Sequence, residues 1–366
     1  MRLLLIRSKT TDSAVFKTAD SLHKQGFEVN LLVWDRQNNL NDKYPYTIHK
    51  FGLNAPYDTF TALLYLPLWW IYELMFLLKH DYDVVHSCDL DTLYPSIIAK
   101  LLKGNKLFYT IYDFYANNFP DMKPYFLSKL VRKIVSAVEK WGIGFTDTLF
   151  LTDENRYSEV KGAKVNNVVY IYNSPPDILE NIERPSGDNL KIFYGGGILK
   201  QRGINYMVEA VEGLDNVKLL IGGSGPDAED FKEYSSDEEG KIYYMGWLPT
   251  YEDILDRTIE SDLLFRFLDP KIPRAKYDSP NKVFEAMMCG KPIIVNKEMG
   301  ISRIIKKEEC GETVPYADVD SLKKVLVRLR DDEEYRMRLG RNARRAYIEK
   351  YDWNIMEKRL KEAYSF

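Results

Sequence analysis

The sequence predicts an α/β protein built from two doubly wound, Rossmann-like parallel-sheet domains. Short, nearly continuous apolar runs alternate with helix-length segments, as in a parallel sheet covered on both faces. That rhythm stops at a polar, proline-marked stretch and then starts again. At 366 residues, 45% hydrophobic and 13% aromatic, the chain is too long for one ordinary core and rich enough to fill two.

In the first half, "RLLLI", "EVNLLVW", "DVVHS", "KLFYTIY", "DTLFLT" and "VVYIYN" read as strands. Ala14 to Gln25, Leu90 to Lys103 and Leu127 to Gly142 read as helices between them. The break, "NSPPDILENIERPSGDN", carries Pro175, Pro176 and Pro185. Beyond it "KIFYGG", "VKLLIGG", "KIYYMG", "DLLFRF" and "KPIIV" resume the pattern. No short internal repeat appears, which excludes a solenoid.

Charge and cysteine usage narrow the function. Lys plus Arg number 51 against 54 Asp plus Glu, a net charge of −3, so bulk electrostatics give no reason to expect a nucleic-acid partner. Cys88, Cys289 and Cys310 share no C-x-x-C spacing, and His23, His49, His80 and His86 are scattered. A disulfide framework and a metal site are therefore not expected, and a reducing cytoplasm is. The opening "MRLLLIRSKT" reads as a first strand rather than a signal peptide.

The stretch 60–79 is apolar and aromatic, but Pro67 and Glu73 break it too much for a transmembrane span. It reads as a helix packed on the sheet. The other expectation is an interfacial helix whose Leu66, Trp69 and Trp70 rest among lipid headgroups. Lys43, Lys79 and His80 are too few for a polybasic anchor, so any such contact would be weak, reversible and mainly apolar.

Ligands of open α/β sheets sit beyond the carboxyl ends of strands, and three loops there stand out. "YGGGILKQRG" brings Gly195, Gly196 and Gly197, then Lys200 and Arg202, to a helix start at about Gly203. Glycines admit close backbone approach, and a helix N-terminus favours an anion, so a phosphate cradle is one reading. A glycine turn with two solvated cations is the other. "LLIGGSGPDAED" repeats the device with Gly222, Gly223 and Gly225.

The third loop is "SPNKVFEAMMCGKPIIV". Ser279 is a plausible N-cap, Pro280 fits the first helical position, and Gly290 with Pro292 ends the helix. Asn281, Lys282 and Glu285 form a polar stripe beside apolar Val283 and Phe284. Lys282 would stand at the mouth, and Glu285, a turn further in, could accept both hydroxyls of a ribose. On a wet face the same pair is an i,i+3 salt bridge worth about 0.2–0.5 kcal/mol.

The order "YGGGILKQRGINYMVEAV", "LLIGGSGP", "YMGWLPTYEDILDRTIESDLLF", "SPNKVFEAMMCGKPIIV" resembles the C-terminal domain of GT-B glycosyltransferases of glycosyltransferase family 4, glycosyl transferases group 1. The likeness covers Leu190 to Phe366. In the first half it is looser and rests on "DYDVVHSCD", "KLFYTIYDFY" and "VVYIYNSPPD". It implies a GT-B fold: an acceptor-side domain 1–174 and a nucleotide-sugar domain 190–349 facing a cleft, with a final helix of about 350–366 packed back on the first.

The resemblance also implies roles. Glu285 would be the second glutamate of the family's paired motif and contact the ribose. Arg202 would hold phosphate, with Lys200 and Lys282 assisting. Gly196, Gly197, Gly203, Gly223 and Gly225 would form the nucleotide loops. Trp247 would line the base, and Ser279, Asn281 and Val283 would flank the helix start. Tyr112 and Asp113 would lie near the reacting sugar.

Three positions depart from the family pattern. Tyr277 stands for the first glutamate, with Asp278 one residue late; Gly197 stands for a common arginine; Tyr112 stands for a histidine found in many relatives. The implied activity is retaining transfer from a UDP- or GDP-sugar, without metal, to a saccharide or lipid-linked saccharide. The implied setting is cytoplasmic, with peripheral attachment at the inner membrane face. A catalytically weak partner subunit and a GT-B epimerase or phosphorylase are the competing readings.

Overall fold

The computed structural model describes residues 1–10, 13–38, 40, 43–55, 61–118, 125–179, 189–235 and 238–365. The chain divides into two compact units, Met1–Tyr172 with Met356–Phe366, and Asn173–Ile355.

Unit 1 contains strands β1 (Arg2–Arg7), β2 (Glu28–Trp34), β3 (Thr47–Phe51), β4 (Val84–Cys88), β5 (Lys106–Ile111), β6 (Thr148–Leu151) and β7 (Val168–Tyr170). They form one sheet in the order β3-β2-β1-β4-β5-β6-β7, every pairing parallel. Its helices are α1 (Ser13–Lys24), α2 (Thr61–Lys79), α3 (Leu90–Lys103), α4 (Tyr115–Asn118) and α5 (Tyr125–Ile143). Both faces of β1, β4 and β5 are buried, which is why their sequences run apolar without alternation. The edge strand β3 is half exposed and polar, and no apolar run announced it.

Unit 2 repeats the plan with β8 (Leu190–Gly195), β9 (Val217–Gly222), β10 (Ile242–Gly246), β11 (Leu263–Arg266), β12 (Ile293–Asn296) and β13 (Gly311–Val314). Their order is β10-β9-β8-β11-β12-β13, again all parallel. The helices are α6 (Ile204–Glu212), α7 (Tyr251–Ile259), α8 (Asn281–Met288), α9 (Ser302–Glu308), α10 (Val319–Asp331) and α11 (Glu333–Ala346). Strand order reverses between β8 and β11, the switch point where open α/β sheets hold ligands.

The last helix, α12 (Trp353–Tyr364), enters unit 1 from Met356 onward. Tyr364 is buried against Phe108 and Phe150, and its hydroxyl meets Nδ1 of His86. The other ring nitrogen of His86 lies 2.6 Å from Thr110 Oγ1, and burial lowers its pKa to about 3. His86 is thus a neutral tie between sheet and C-terminal helix. Its pairing with the chain's end could not be seen locally in "DVVHS".

Of the aromatic stretch 60–79, Thr61–Lys79 form α2 as one continuous helix through Pro67, residue 60 lies outside the described residues, and the interfacial role expected of Trp69 does not hold. Trp69 is fully buried, stacks on Trp34 at 6.1 Å and donates Nε1–H to the Asp91 carbonyl at 3.1 Å. Trp70 donates to the same carbonyl at 2.9 Å, and Leu66 packs against the core. Their indole N–H groups needed a buried acceptor, and the start of α3 supplies it. No helix among the described residues is long and apolar enough to cross a membrane.

Candidate functional site

The loops after β8, β9, β10 and β11 leave unit 2 at one edge, the carboxyl ends of a parallel sheet. The first two loops prolong the ladder of their strands. Gly196 donates its N–H to the Gly222 carbonyl at 2.9 Å, Ile198 to Ser224 at 2.8 Å, and Gly223 to Gly246 at 2.7 Å. This zipper explains two glycines. A Cβ on Gly223 would stand 1.9 Å from the Gly196 oxygen, and one on Gly225 would stand 2.1 Å from the Ile198 oxygen. Their lack of a side chain serves chain-to-chain approach. The N–H groups of Gly197 and Gly225 donate to no protein acceptor among the described residues, and both glycines are exposed.

The turn Lys200–Arg202 separates its two cations. Lys200 is 79% exposed at its side chain, with Nζ 3.9 Å from Asp227, and lines a cavity of about 710 Å³ with Asn205, Phe231, Tyr234 and Tyr316. Arg202 is half-buried, and its Nε is buried with no hydrogen-bond partner among the described residues. Buried donors are nearly always satisfied, so an orphaned guanidinium N–H at a strand's carboxyl end asks for an acceptor from outside the chain. Gly203 adopts a left-handed conformation at φ 60° and donates to the Lys200 carbonyl, which fixes it as the turn before α6.

The helix α8 starts at Asn281. Pro280 precedes it and Ser279 does not cap it, a correction to the local reading: Pro280 keeps extended dihedrals, so the helix opens one residue later. Asn281 is exposed. Val283 is fully buried and its N–H donates to the Pro280 carbonyl, so it packs the helix and offers a ligand nothing.

Lys282 and Glu285 sit inside rather than on a wet face, with side chains only 11% and 9% exposed. The Lys282 ammonium lies 3.8 Å from Glu285 Oε2 and about 6 Å from the ring centroid of Tyr194 on β8. Burial lowers the Lys282 pKa, and Glu285 opposes that shift. Burial raises the pKa of the Tyr251 hydroxyl at the start of α7, and the nearby Glu285 carboxylate adds to that shift. A buried cation and a buried carboxylate thus lie against β8, and the orphaned Arg202 lies on the loop that follows that strand.

Tyr251 was not singled out in the sequence. The only signal was the capping box of Thr250 and Asp253, which places a helix start but not a partner. Asp278 pairs with Arg266 at 2.8 Å, so the carboxylate one residue after Tyr277 is occupied within the protein. Trp247 follows β10 and is 66% exposed, an indole face open to solvent.

Unit 1 carries its own polar cluster at the carboxyl ends of β1, β4 and β5. Asp89 is fully buried at φ 67°, a left-handed conformation costly for a non-glycine residue. It forms an ion pair with Arg7, and its Oδ1 accepts the N–H groups of Tyr112 at 2.8 Å and Asp113 at 3.0 Å. Burial raises its pKa to about 6, with Arg7 opposing the shift. The Arg7 guanidinium stacks over the Tyr112 ring at 5.2 Å, and Arg156 donates to the Tyr112 carbonyl. Tyr112 and Asp113 are therefore held by their backbone, with the Asp113 carboxylate 3.9 Å from Lys9 at the surface. Arg7 and Arg156 went unrecognised because only the fold brings them together.

Among the described residues no group of three His, Cys, Asp or Glu side chains gathers as a metal site.

Two parallel-sheet units of this topology define a GT-B glycosyltransferase fold, and solved structures share it over the whole chain. Sucrose-phosphate synthase of Thermosynechococcus elongatus superposes with a TM-score of 0.77 at 15% identity, covering 100% of this chain and 98% of that one. Anabaena HepE, solved with UDP and glucose, gives 0.72 at 15% identity over 100% and 99%. Residues 177–346 match the family Glycosyl transferases group 1. An uncharacterized glycosyltransferase of Methanocaldococcus jannaschii is 29% identical over 184 residues. That alignment spans 48% of this chain and 45% of the relative, about half the length of each.

Proposed function

We propose that this chain moves a sugar from a nucleotide-diphosphate sugar to a saccharide or lipid-linked saccharide, with retention at the anomeric carbon. The observation that carries the reading is the buried, unpartnered Nε of Arg202 beside two interlocked glycine loops at the switch point of unit 2. UDP bound to HepE, a protein of the same fold, supports a uridine nucleotide as donor carrier.

In this reaction the bond from the anomeric carbon to the β-phosphate oxygen breaks, and a bond to the acceptor oxygen forms. The acceptor proton passes to the leaving phosphate, so no protein nucleophile is required. Charge grows on the diphosphate as the bond opens. Arg202 and Lys282, with the N–H groups of Gly197 and Gly225, would meet that charge, in place of a metal. Removing one such donor in other enzymes costs roughly 3–4 kcal/mol of barrier.

Glu285, desolvated and close to Tyr251 and Lys282, would take a ribose hydroxyl. Trp247 offers its exposed face to a base. Asn281 stands at the helix mouth, while Lys200, turned toward Asp227, contributes field rather than contact. In unit 1, Tyr112 and Asp113 would border the acceptor. Cys88, Cys289 and Cys310 are all buried thiols, which fits a reducing compartment, and we place the reaction in the cytoplasm.

The test is turnover. The purified chain, given UDP- and GDP-sugars with and without oligosaccharide acceptors, should release free nucleoside diphosphate from one donor and accelerate when an acceptor is present. Donor binding without release of diphosphate would favour the non-catalytic partner subunit. Release of a 2-epimer, or of a sugar phosphate with added phosphate, would favour the epimerase or phosphorylase.

A further inference from the structure

Unit 1 presents an unusual outer surface on one side. Successive residues of a strand face opposite sides of a sheet, and β4 separates two helix layers. Val85 packs into the core under α2 and α3, whereas His86 meets Tyr364 of α12. The layer beneath Val85 consists of α2, α3 and α5. Lys103 on α3 donates to the Leu77 carbonyl of α2 at 3.0 Å, and Tyr94 on α3 donates to the Val138 carbonyl of α5 at 2.8 Å.

Of the twenty exposed large apolar side chains among the described residues, fourteen belong to these three helices. On α5, Phe126, Leu130, Ile134, Val138 and Trp141 recur at three- and four-residue spacing, so they form one outward stripe, 39% to 70% exposed. On α2, Leu64, Leu68, Ile71, Met75 and Leu78 do the same. On α3, Ile98, Leu101 and Leu102 stand out. Each helix already buries another apolar face in the core, so the outward stripes add nothing to folding of unit 1. Contiguous apolar surface of this kind marks an interaction site.

The exposed charges that the three helices themselves carry have one sign. The carboxylates of the three helices, Glu73, Asp91 and Glu139, are all buried, while Lys79, Lys129 and Lys133 are exposed. Lys100 and Lys103 are tied to Asp147 and Asp81. The three helices of this chain of net charge −3 thus turn cations and apolar side chains outward with no exposed carboxylate of their own, and the exposed Asp81 beside them is held by Lys103.

We propose that the face formed by α2, α3 and α5 docks on an anionic lipid bilayer. The stripes enter the acyl boundary, and Lys129 and Lys133 sit among the lipid phosphates. A second copy of the chain fits less well, because a self-complementary contact would set lysines against lysines with no carboxylate of these helices to answer them. This attachment uses the side of α2 opposite Trp69 and Trp70, and its electrostatic part makes it salt-sensitive. It does not rest on the nucleotide site of unit 2.

Flotation of the full chain with vesicles tests it. Vesicles of phosphatidylcholine and phosphatidylglycerol in equal parts should bind the chain, phosphatidylcholine alone should bind it far less, and rising salt should release it. Lys129→Glu with Lys133→Glu should weaken binding by about thirtyfold or more, from roughly a fivefold loss of attraction per basic residue near the surface. Leu130→Asp with Ile134→Asp should abolish it at unchanged melting temperature, because both side chains are exposed. Equal affinity for neutral and anionic vesicles, no binding to either, or undiminished binding by both variants would each overturn the proposal. So would a dimer of the parent chain that the Leu130→Asp, Ile134→Asp variant dissociates.

Discussion

Replacing Gly223 with alanine separates packing from ligand contact in the glycine loops. The new Cβ would lie 1.9 Å from the Gly196 oxygen, where real contacts stay beyond 3.0 Å, so the two loops must part by about 1 Å. Parting them strains the Gly196 to Gly222 and Gly223 to Gly246 hydrogen bonds, each worth about 1 kcal/mol. An L-residue at the Gly223 φ of 139° adds about 1–3 kcal/mol of backbone strain. The sum is about 3–5 kcal/mol, a large fraction of a domain's stability. Gly197→Ala is the control, since its Cβ would meet nothing within 4 Å and its φ is ordinary. Urea unfolding of both variants should show unit 2 strongly destabilised in the first and within about 0.5 kcal/mol of the parent in the second. Gly223→Ala unfolding at the parent's urea concentration would refute the interlocked-loop explanation.

Three further outcomes follow from the two sites. Burial raises Asp89 to about 6 against about 3.9 in the unfolded chain, so the folded state holds the proton more tightly. The contribution of this residue is full below about pH 4 and is lost as pH rises toward about 6. Asp89→Asn should therefore remove up to about 2–3 kcal/mol of pH-dependent stability across that window in denaturation series, and an unchanged pH profile would place the ionisation elsewhere. Glu285→Gln should strip the buried Lys282 of its carboxylate, lowering stability by about 1–2 kcal/mol. The same variant should lose any preference for ribo- over 2′-deoxyribonucleotides, and a parent chain without that preference would remove Glu285 from the ribose.

Much of the architecture is legible in the sequence because strands buried on both faces write themselves as apolar runs. The edge strands "TIHKF" and "GETV" escape notice because one side of each is wet and polar. The switch-point loops are legible from their place after such runs. The reason for their glycines is not, since Gly223 and Gly225 answer to the backbone of another loop far away in sequence. Helical periodicity failed for α2 because both of its faces are apolar, and only the buried acceptor at Asp91 decides that Trp69 turns inward. The Arg7–Asp89 pair joins the ends of β1 and β4, a contact that no local pattern specifies.

Calorimetric titration of UDP and GDP into the parent chain and into Arg202→Met probes the nucleotide site at its most exposed point. The Arg202 Nε has no partner to lose, so the variant should melt as the parent does. One diphosphate should bind the parent, and the variant should bind it about thirtyfold more weakly, the value of one charged hydrogen bond of about 2 kcal/mol. Failure of both diphosphates to bind the parent, or equal affinity in the variant, would contradict the assignment of a nucleotide diphosphate to Arg202.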